Sequence, residues 1–192
     1  MATLEELEGE EPGPTAALVL AARDGDRRAF ATLYRNHGRM VHGVLLARLP
    51  RAELRDALQE VFTTALAKLA SLREPERFGP WLATIARNLA RDWFKRRGNT
   101  RELAHEPEHF DGRPGASGAD LTDALGLLAA MRELSEDYRE ILVLRFVAGM
   151  TGPEIAAQLG MTPGSVRVKL HRGVQMLRGR LEPDTSGEAD HD

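Results

Sequence analysis

The strongest constraint on the fold lies between residues 151 and 177, where the sequence predicts two short helices joined by a tight turn. Thr151 and Glu154 have the spacing of a capping box, in which each side chain bonds the other residue's backbone N–H. Gly160 is suited to end the first helix, because glycine tolerates the left-handed conformation common at helix C-termini. This stretch therefore predicts a helix-turn-helix.

The second helix of this motif is strongly basic. Thr162 is suited to cap it, and Pro163 fits its first position because the missing N–H is not needed there. Between Pro163 and Leu181 the chain carries five Lys or Arg residues and no Asp or Glu. A cationic helix with small residues at its start fits the major groove of DNA. The alternative is a solvated charged face on a helix that packs into the core.

The net charge of −3 hides a basic middle segment. Residues 1–15 hold five glutamates, residues 182–192 hold five further acids, and neither segment contains Lys or Arg. Without these ten acids, 26 basic residues face 19 acidic ones, a net charge of +7. We therefore predict two acidic, disordered tails around a basic body, which is a charge balance typical of nucleic-acid binding.

The overall composition limits the compartment and the class of protein. The 192 residues are enough for one domain or two small ones. The absence of cysteine excludes disulfides and thiolate metal sites, and it fits a reducing compartment. No apolar run reaches the length of a membrane span, and the acidic N-terminus is the opposite of a secretory signal. These features predict a cytoplasmic protein with no membrane insertion.

A helix predicted over about residues 52–69 has one apolar face and one polar cluster. Its expected buried face comprises Leu54, Leu58, Val61, Phe62, Ala65, Leu66 and Leu69. Asp56, Gln59 and Glu60 lie on the other side at a spacing of three to four residues. Taken alone, this polar cluster indicates only a solvated face.

The next predicted helix, over residues 81–97, combines aromatic and basic side chains. From Arg87 to Arg101 the chain has six basic residues and one acid. Trp81 and Trp93 interleave with these cations, a pattern that suits single-stranded nucleic acid because cations track phosphates and rings stack on bases. The alternative is that both tryptophans are core residues, since large aromatic side chains usually bury most of their area.

Residues 98–119 are rich in glycine and proline and poor in apolar residues, which predicts a flexible linker. Within this segment His105 and His109 match the H-E-x-x-H string of zinc proteases. Pro107 disrupts the continuous helix that would bring both imidazoles to one face. The sequence therefore predicts no metal centre here, and no cofactor.

Beyond the linker two further helices are expected before the helix-turn-helix. The first has an apolar face of Leu121, Leu125, Leu128 and Met131. Ser135 can cap the second, which is expected to bury Tyr138, Ile141, Leu142 and residues 144–147 and to end at Gly149. The whole chain is then all-α, with two small helical domains joined by a flexible linker. The expected segments are a tail at 1–15, a domain at 16–97, the linker at 98–119, a helix-turn-helix domain at 120–181 and a tail at 182–192.

Three stretches occur in a fixed order between the tails. They are DALQEVF at residues 56–62, FGPWLATIARNLA at residues 78–90, and the segment that runs from YREIL at residues 138–142 to residue 172. In this order and at these separations they resemble the small, extracytoplasmic-function (group IV) sigma factors of bacterial RNA polymerase. The resemblance extends over about residues 16–181.

The resemblance implies a promoter-recognition factor that binds core RNA polymerase, opens promoter DNA and performs no enzymatic step. An anti-sigma factor is a further candidate partner, because two small domains on a long linker can be clamped together by one protein. The residues that correspond to the polymerase-docking surface are Asp56, Gln59 and Glu60. Those that correspond to the surface for the single strand of the −10 element are Ser71, Arg73, Arg77, Trp81, Thr84, Arg87, Asn88 and Arg91. Those of the helix that reads the −35 element are Thr162, Pro163, Ser165, Arg167, Lys169, His171 and Arg172.

Two other classes of function remain open on the sequence alone. A stand-alone helix-turn-helix regulator that binds operator DNA without polymerase would explain residues 151–177 equally well. It would not explain the DALQEVF stretch or the basic, aromatic helix that begins at Trp81. A zinc hydrolase would depend on the histidine pair of the linker alone.

Overall fold

A computed structural model describes residues 12–96, 126–127 and 130–181, except for the side chain of Phe94. Within these ranges every regular element is helical, which confirms the all-α prediction. The α-helices are α1 (Pro14–Arg23), α2 (Arg27–Leu46), α3 (Leu54–Lys68), α4 (Phe78–Arg96), α5 (Glu136–Leu142), α6 (Gly152–Leu159) and α7 (Pro163–Leu181). The predicted linker, the C-terminal tail, residues 1–11 and the His105–His109 string lie outside the described residues. The predicted N-terminal tail extended to residue 15, and that bound is wrong, because Pro14 and Thr15 form the start of α1.

The N-terminal half, residues 12–96, is built around α2, which contacts α1, α3 and α4. Asp26 starts α2, since its carboxylate accepts hydrogen bonds from the backbone N–H groups of Arg28 at 2.7 Å and Ala29 at 3.3 Å. The Arg23 guanidinium at the end of α1 donates to the carbonyl oxygens of Leu69, at 3.1 Å, and Leu72. These bonds fix the loop between α3 and α4 against α1.

The buried face of α3 matches the prediction except at one residue. Leu54, Val61, Phe62, Ala65 and Leu69 are buried, and Leu58 packs partly against them. Leu66 was predicted to be buried, and that is wrong, because 51% of its surface is exposed. It follows Gln59 by seven residues and Thr63 by three, so helical geometry places it on their outward side.

The C-terminal half, residues 130–181, contains the predicted helix-turn-helix in α6 and α7. The capping box is formed: the Thr151 N–H donates to Glu154 Oε2 at 2.7 Å, and the Glu154 N–H donates to Thr151 Oγ1 at 3.4 Å. Gly160 adopts the left-handed conformation with φ of 65°. Thr162 caps α7, since its hydroxyl accepts from the Ser165 N–H at 3.2 Å.

The segment after α5 differs from the prediction. Residues Val143–Val147 form a π-helical turn, closed by the Ala148 N–H, which donates to the Val143 carbonyl at 3.0 Å. Such a turn adds one residue to the helical repeat and shifts the side chains that follow. Arg145 and Phe146 therefore face solvent, and the Phe146 side chain, predicted to be buried, is 59% exposed.

The two halves pack against each other, and their buried residues form one hydrophobic cluster. The π-helical turn lies against α2 at Gly43, where an added Cβ would stand 2.8 Å from Val147 Cγ1. The Arg132 guanidinium donates to the Leu46 carbonyl, at 2.8 Å from Nη2 and 3.2 Å from Nε. Because Leu46 is the last residue of α2, Arg132 satisfies a carbonyl that the helix itself leaves unbonded.

Candidate nucleic-acid and polymerase interfaces

The outward face of α7 has the composition predicted for a DNA-reading helix. Val166 and Leu177 are buried, while Arg167, His171 and Arg172 are exposed. Helical geometry places these groups on opposite sides of α7, so the cations are free to approach a groove. The charged face is thus solvent-accessible and carries no carboxylate of its own helix.

Lys169 differs from the other cations of α7. It is half-buried, and its Nζ lies 2.8 Å from Asp137 Oδ2 at the start of α5. The ion pair directs this ammonium toward the body of the C-terminal half. A DNA contact by Lys169 would require it to leave Asp137.

The first turn of α7 presents two hydroxyls and a proline. Thr162 Oγ1 and Ser165 Oγ lie 2.9 Å apart, and both residues are exposed, as is Pro163. The N-terminal N–H groups of a helix attract anions. The Ser165 N–H already donates to Thr162 Oγ1. A phosphate at this helix end would therefore bind the hydroxyls and the other backbone N–H groups.

On α4, the predicted strand-binding residues lie on one line of the helix at positions 84, 87, 88 and 91. Thr84, Arg87 and Asn88 are half-buried, and Arg91 is exposed. Trp81 is half-buried, with its ring 5.8 Å from that of Phe78. The Trp81 ring therefore packs on the core and retains an accessible side, and its contact with single-stranded nucleic acid stays a prediction.

The loop before α4 supplies the remaining predicted strand contacts. Arg73 and Arg77 are exposed, and the Ser71 hydroxyl donates to the Lys68 carbonyl at 2.7 Å. A cavity of about 310 Å³ opens between this loop and α6. Its walls are Leu72, Arg73, Glu74, Arg77, Pro80, Trp81 and Thr84 from the N-terminal half, and Met150, Glu154, Ala157 and Gln158 from the C-terminal half.

Sequence reasoning missed the partners of these α4 and loop residues. Arg77 Nη2 lies 2.7 Å from Glu154 Oε1, and the Arg87 guanidinium forms an ion pair with Glu140. Thr84 Oγ1 lies 3.0 Å from Gln158 Oε1. These partners are 53 to 77 residues distant in sequence, and no periodic pattern signals them.

Glu154 caps α6 and binds Arg77, and both contacts lower the pKa of its carboxyl group. The Thr151 N–H bonds one of its carboxylate oxygens, and Arg77 binds the other. The hydrogen bond from the Thr151 backbone is the main cause of a lowered pKa for Glu154, with the bond from Arg77 adding to it. The carboxylate that caps α6 is therefore held ionised beside the loop of the N-terminal half.

The polar cluster of α3, called the acidic cluster from here on, is exposed as predicted. Asp56, Gln59 and Glu60 all face solvent, and Leu66 extends this side of the helix with an exposed apolar side chain. A groove of about 390 Å³ follows between α3 and α4, with Glu60 on one wall and Asn88 on the other. The groove joins the acidic cluster to the polar face of α4.

Within the described residues, no group of three His, Asp or Glu side chains could hold a metal ion. Helices long and apolar enough to cross a membrane are likewise absent from the part of the chain that the structure describes.

Two family models match the chain: "Sigma-70 region 2" over residues 33–100 and "Sigma-70, region 4" over residues 124–177. RNA polymerase sigma factor CarQ of Myxococcus xanthus is 36% identical over 168 residues, which are 83% of this chain and 95% of that protein. ECF RNA polymerase sigma factor SigE of Mycolicibacterium smegmatis is 33% identical over 194 residues, with 94% of this chain and 72% of SigE covered. The chain belongs to the extracytoplasmic-function (ECF) sigma factors of RNA polymerase.

The solved structure of CnrH in complex with the cytosolic domain of CnrY matches with a TM-score of 0.64 and 25% identity. The match covers 89% of this sigma factor and 99% of CnrH. The region 2 match contains the α3 cluster and the α4 face, and the region 4 match contains α6 and most of α7. The protein is therefore a polymerase-binding, promoter-recognising initiation factor, rather than a stand-alone regulator.

Proposed function

We propose that this sigma factor has three separate binding surfaces. The α3 cluster docks on core RNA polymerase, the loop and α4 hold the single strand of the −10 element, and α7 reads the −35 element. The observation that supports this division is the position of the charges: Asp56 and Glu60 lie exposed in one cluster on α3, whereas every charged side chain of α7 is a cation. Opposite charges suit a protein partner on one side and phosphates on the others.

Strand capture at −10 needs no bond-making chemistry. Arg73, Arg77, Arg87 and Arg91 supply cations for phosphates, while Ser71, Thr84 and Asn88 supply hydrogen bonds. The accessible side of Trp81 stacks on a base, and the cavity beside it accepts a base turned out of the duplex. Because these contacts exist only with the open strand, binding offsets the cost of unstacking. The protein is thus an initiation factor without catalytic activity.

On the −35 side, Arg167 and Arg172 are the side chains best placed for bidentate contacts to bases. His171 lies beside them, and Lys169 reaches a phosphate after release from Asp137. Thr162, Pro163 and Ser165 stand at the helix N-terminus, where hydroxyls and amides position a phosphate.

We also infer a regulatory protein partner of the anti-sigma kind and a cytoplasmic location. Support for the partner comes from the CnrH structure, in which a chain of the same fold is in complex with the cytosolic domain of CnrY. Support for the location is the cysteine-free composition and the functional need to meet polymerase and DNA.

Charge reversal on α3 tests the docking assignment. The double variant Asp56→Lys/Glu60→Lys should retain its helical circular dichroism, because both side chains are exposed, and should no longer co-elute with core polymerase. Asp24→Lys, an equally exposed acid at the end of α1, is the matched control and should co-elute normally. Normal run-off transcription by the double variant would refute the docking surface.

A further inference from the structure

We propose that the C-terminal tail, residues 182–192, folds back onto α7 and covers the cations with which this helix meets DNA. The inference rests on the proposed reading role of α7. The tail carries five carboxylates and no Lys or Arg, and it follows directly on Leu181, the last residue of α7. Helix α7 carries five Lys or Arg residues and no acid. With histidine neutral, the two neighbouring segments therefore have equal and opposite formal charges.

The C-terminal half has no spare carboxylate for the exposed cations of α7. Residues 130–181 contain five acidic side chains. Each of the five forms an ion pair: Glu133 with Arg180, Glu136 with Arg48, Asp137 with Lys169, Glu140 with Arg87, and Glu154 with Arg77. No ion pair from the described part of the chain reaches the exposed Arg167, Arg172 or Arg178. The nearest unassigned carboxylates along the chain are those of the tail.

A groove between α7 and the π-helical turn gives the tail a place to lie. The groove has a volume of about 380 Å³ and is open to solvent. Phe146, Leu170 and Val174 contribute apolar side chains to its lining, and Arg145 and Arg178 contribute cations. Phe146 is 59% exposed, because the π-helical turn directs it outward. An extended chain in this groove would cover Phe146 while its carboxylates meet the guanidinium groups.

The tail is long enough to cover the whole cationic face. Leu181 and Arg167 are separated by about 21 Å along the helix axis, at about 1.5 Å per residue. A reversal of direction takes about four residues. The remaining residues of the tail, about seven, span about 23 Å when extended. Glu188, Asp190 and Asp192 then lie beside the half of α7 that is assigned to the −35 element.

The tail and DNA compete for the same donors. A guanidinium binds carboxylate and phosphate oxygens with the same fork of N–H groups. A duplex therefore reaches Arg167 and Arg172 only when it displaces the tail. This competition does not depend on base sequence, so the tail lowers the affinity for every duplex by one factor and leaves the preference among promoter fragments unchanged.

Neutralisation of the tail in the full chain tests the inference. The tail variant exchanges all five acids for amides: Glu182→Gln, Asp184→Asn, Glu188→Gln, Asp190→Asn and Asp192→Asn. The matched control exchanges the five glutamates that precede α1: Glu5→Gln, Glu6→Gln, Glu8→Gln, Glu10→Gln and Glu11→Gln. Both variants change the net charge by the same amount, and neither alters a residue assigned to DNA or polymerase.

Fluorescence anisotropy of the free proteins measures binding to a −35 duplex and to an unrelated duplex. At about 0.05 M salt the tail variant should bind both duplexes about tenfold more tightly than the wild type, the ratio expected if the covered form outnumbers the uncovered form about ten to one. Its affinity should also fall more steeply with salt, because the wild-type protein exchanges carboxylates for phosphates and releases fewer ions. The control should bind like the wild type. An unaltered affinity of the tail variant, or an equal gain in the control, would overturn the inference.

A spin label detects the contact between the tail and α7 without DNA. Because the chain has no cysteine, Ala189→Cys places a single nitroxide in the tail. The amide NMR signals of residues 167–171 should broaden, although these residues lie about 15 Å or more from Leu181 along the helix. The same label in the tail variant should leave these signals intact, since the tether is unchanged and the charge is gone. Equal broadening with both tails would overturn the inference, and so would broadening in an unlabelled chain mixed with the labelled one, which would place the tail on a second copy.

Arg172→Ala in the tail variant separates this inference from the proposed function. If Arg172→Ala weakens binding of the −35 duplex and neutralisation of the tail does not strengthen it, α7 reads DNA and the inference alone is overturned. If the label broadens residues 167–171 but neither change alters duplex binding, the reading role of α7 is refuted, and the inference fails with it.

Discussion

Arg48 and Glu136 meet across the two halves of the molecule, with 3.0 Å between Nη1 and Oε1. The pair is asymmetric: 5% of the Arg48 side chain is exposed, against 70% of Glu136. Glu140, 16% exposed, is the second carboxylate beside Arg48 and also binds Arg87. Among the described residues Arg48 is the one charged side chain that is buried. Glu136 and Glu140 should therefore contribute unequally to the stability of the folded protein.

Glu140→Ala should destabilise the protein more than Glu136→Ala. Loss of Glu140 leaves Arg48 and Arg87 short of a partially buried counter-charge, which we expect to cost about 2–3 kcal/mol. Loss of the exposed Glu136 should cost less than about 1 kcal/mol. Urea denaturation of the two variants gives both free energies of unfolding. Equal losses would show that Glu140 is not the main counter-charge of Arg48.

Thr151→Ala should lower the free energy of unfolding by about 1 kcal/mol, because it removes the hydroxyl that caps α6. Ser135→Ala is a matched control: Ser135 occupies the same position before α5, but its hydroxyl makes no capping bond. Its loss should cost under about 0.5 kcal/mol. Thermal unfolding followed by circular dichroism compares the two, and a control as damaging as Thr151→Ala would contradict the interpretation.

Stability should fall as the pH drops below 6.5. Burial lowers the pKa of His37, which packs against the Phe78 ring, and it lowers the pKa of His42, with a further contribution from Arg51. The folded chain then binds fewer protons than the unfolded chain, whose histidines titrate near 6.5. The loss of stability grows as the pH falls from 6.5 to the lowered pKa values of the two folded histidines, and it levels off below those values. Unfolding measured from pH 8 to 5 should show a flatter profile for His37→Gln/His42→Gln, and an identical profile would refute this source of pH dependence.

Arg172→Ala should weaken binding to promoter DNA by about 1–3 kcal/mol if Arg172 makes a bidentate base contact. Arg180→Ala removes the same charge from the same helix, but Arg180 lies 3.3 Å from Glu133 and two turns further on. Holoenzyme binding to promoter fragments altered at single −35 positions distinguishes the two variants. Only Arg172→Ala should change the preference among the fragments, and an unchanged preference would contradict the assigned orientation of α7.

Features that depend on local sequence were predictable. The capping box, the left-handed Gly160 and the Thr162 cap depend on residues within a few positions of each other, and all three are present. The exposure of Asp56 and Arg172 followed from helical spacing in the same way. Such features are encoded by short-range geometry, which a single sequence displays directly.

Other features depend on packing that the sequence does not display. Leu66 and Phe146 are apolar residues at the edge of a helical pattern, and a π-helical turn moved Phe146 outward. The Arg87–Glu140 pair could not be predicted, because a basic helix face that binds DNA and one that binds a distant carboxylate have the same composition. The assigned DNA and polymerase contacts stay predictions.

The close approach of the two halves at Gly43 has an evolutionary consequence. In the genetic code a single nucleotide change converts any glycine codon to one for alanine, and alanine favours a helix over glycine by about 1 kcal/mol. The added methyl group would stand 2.8 Å from Val147 Cγ1. The substitution that raises the helix propensity of α2 therefore disturbs the packing of α2 against the C-terminal half. The fit between the two halves at this point thus depends on the single hydrogen atom that glycine carries in place of a side chain, and alleles that alter it should arise in a single step.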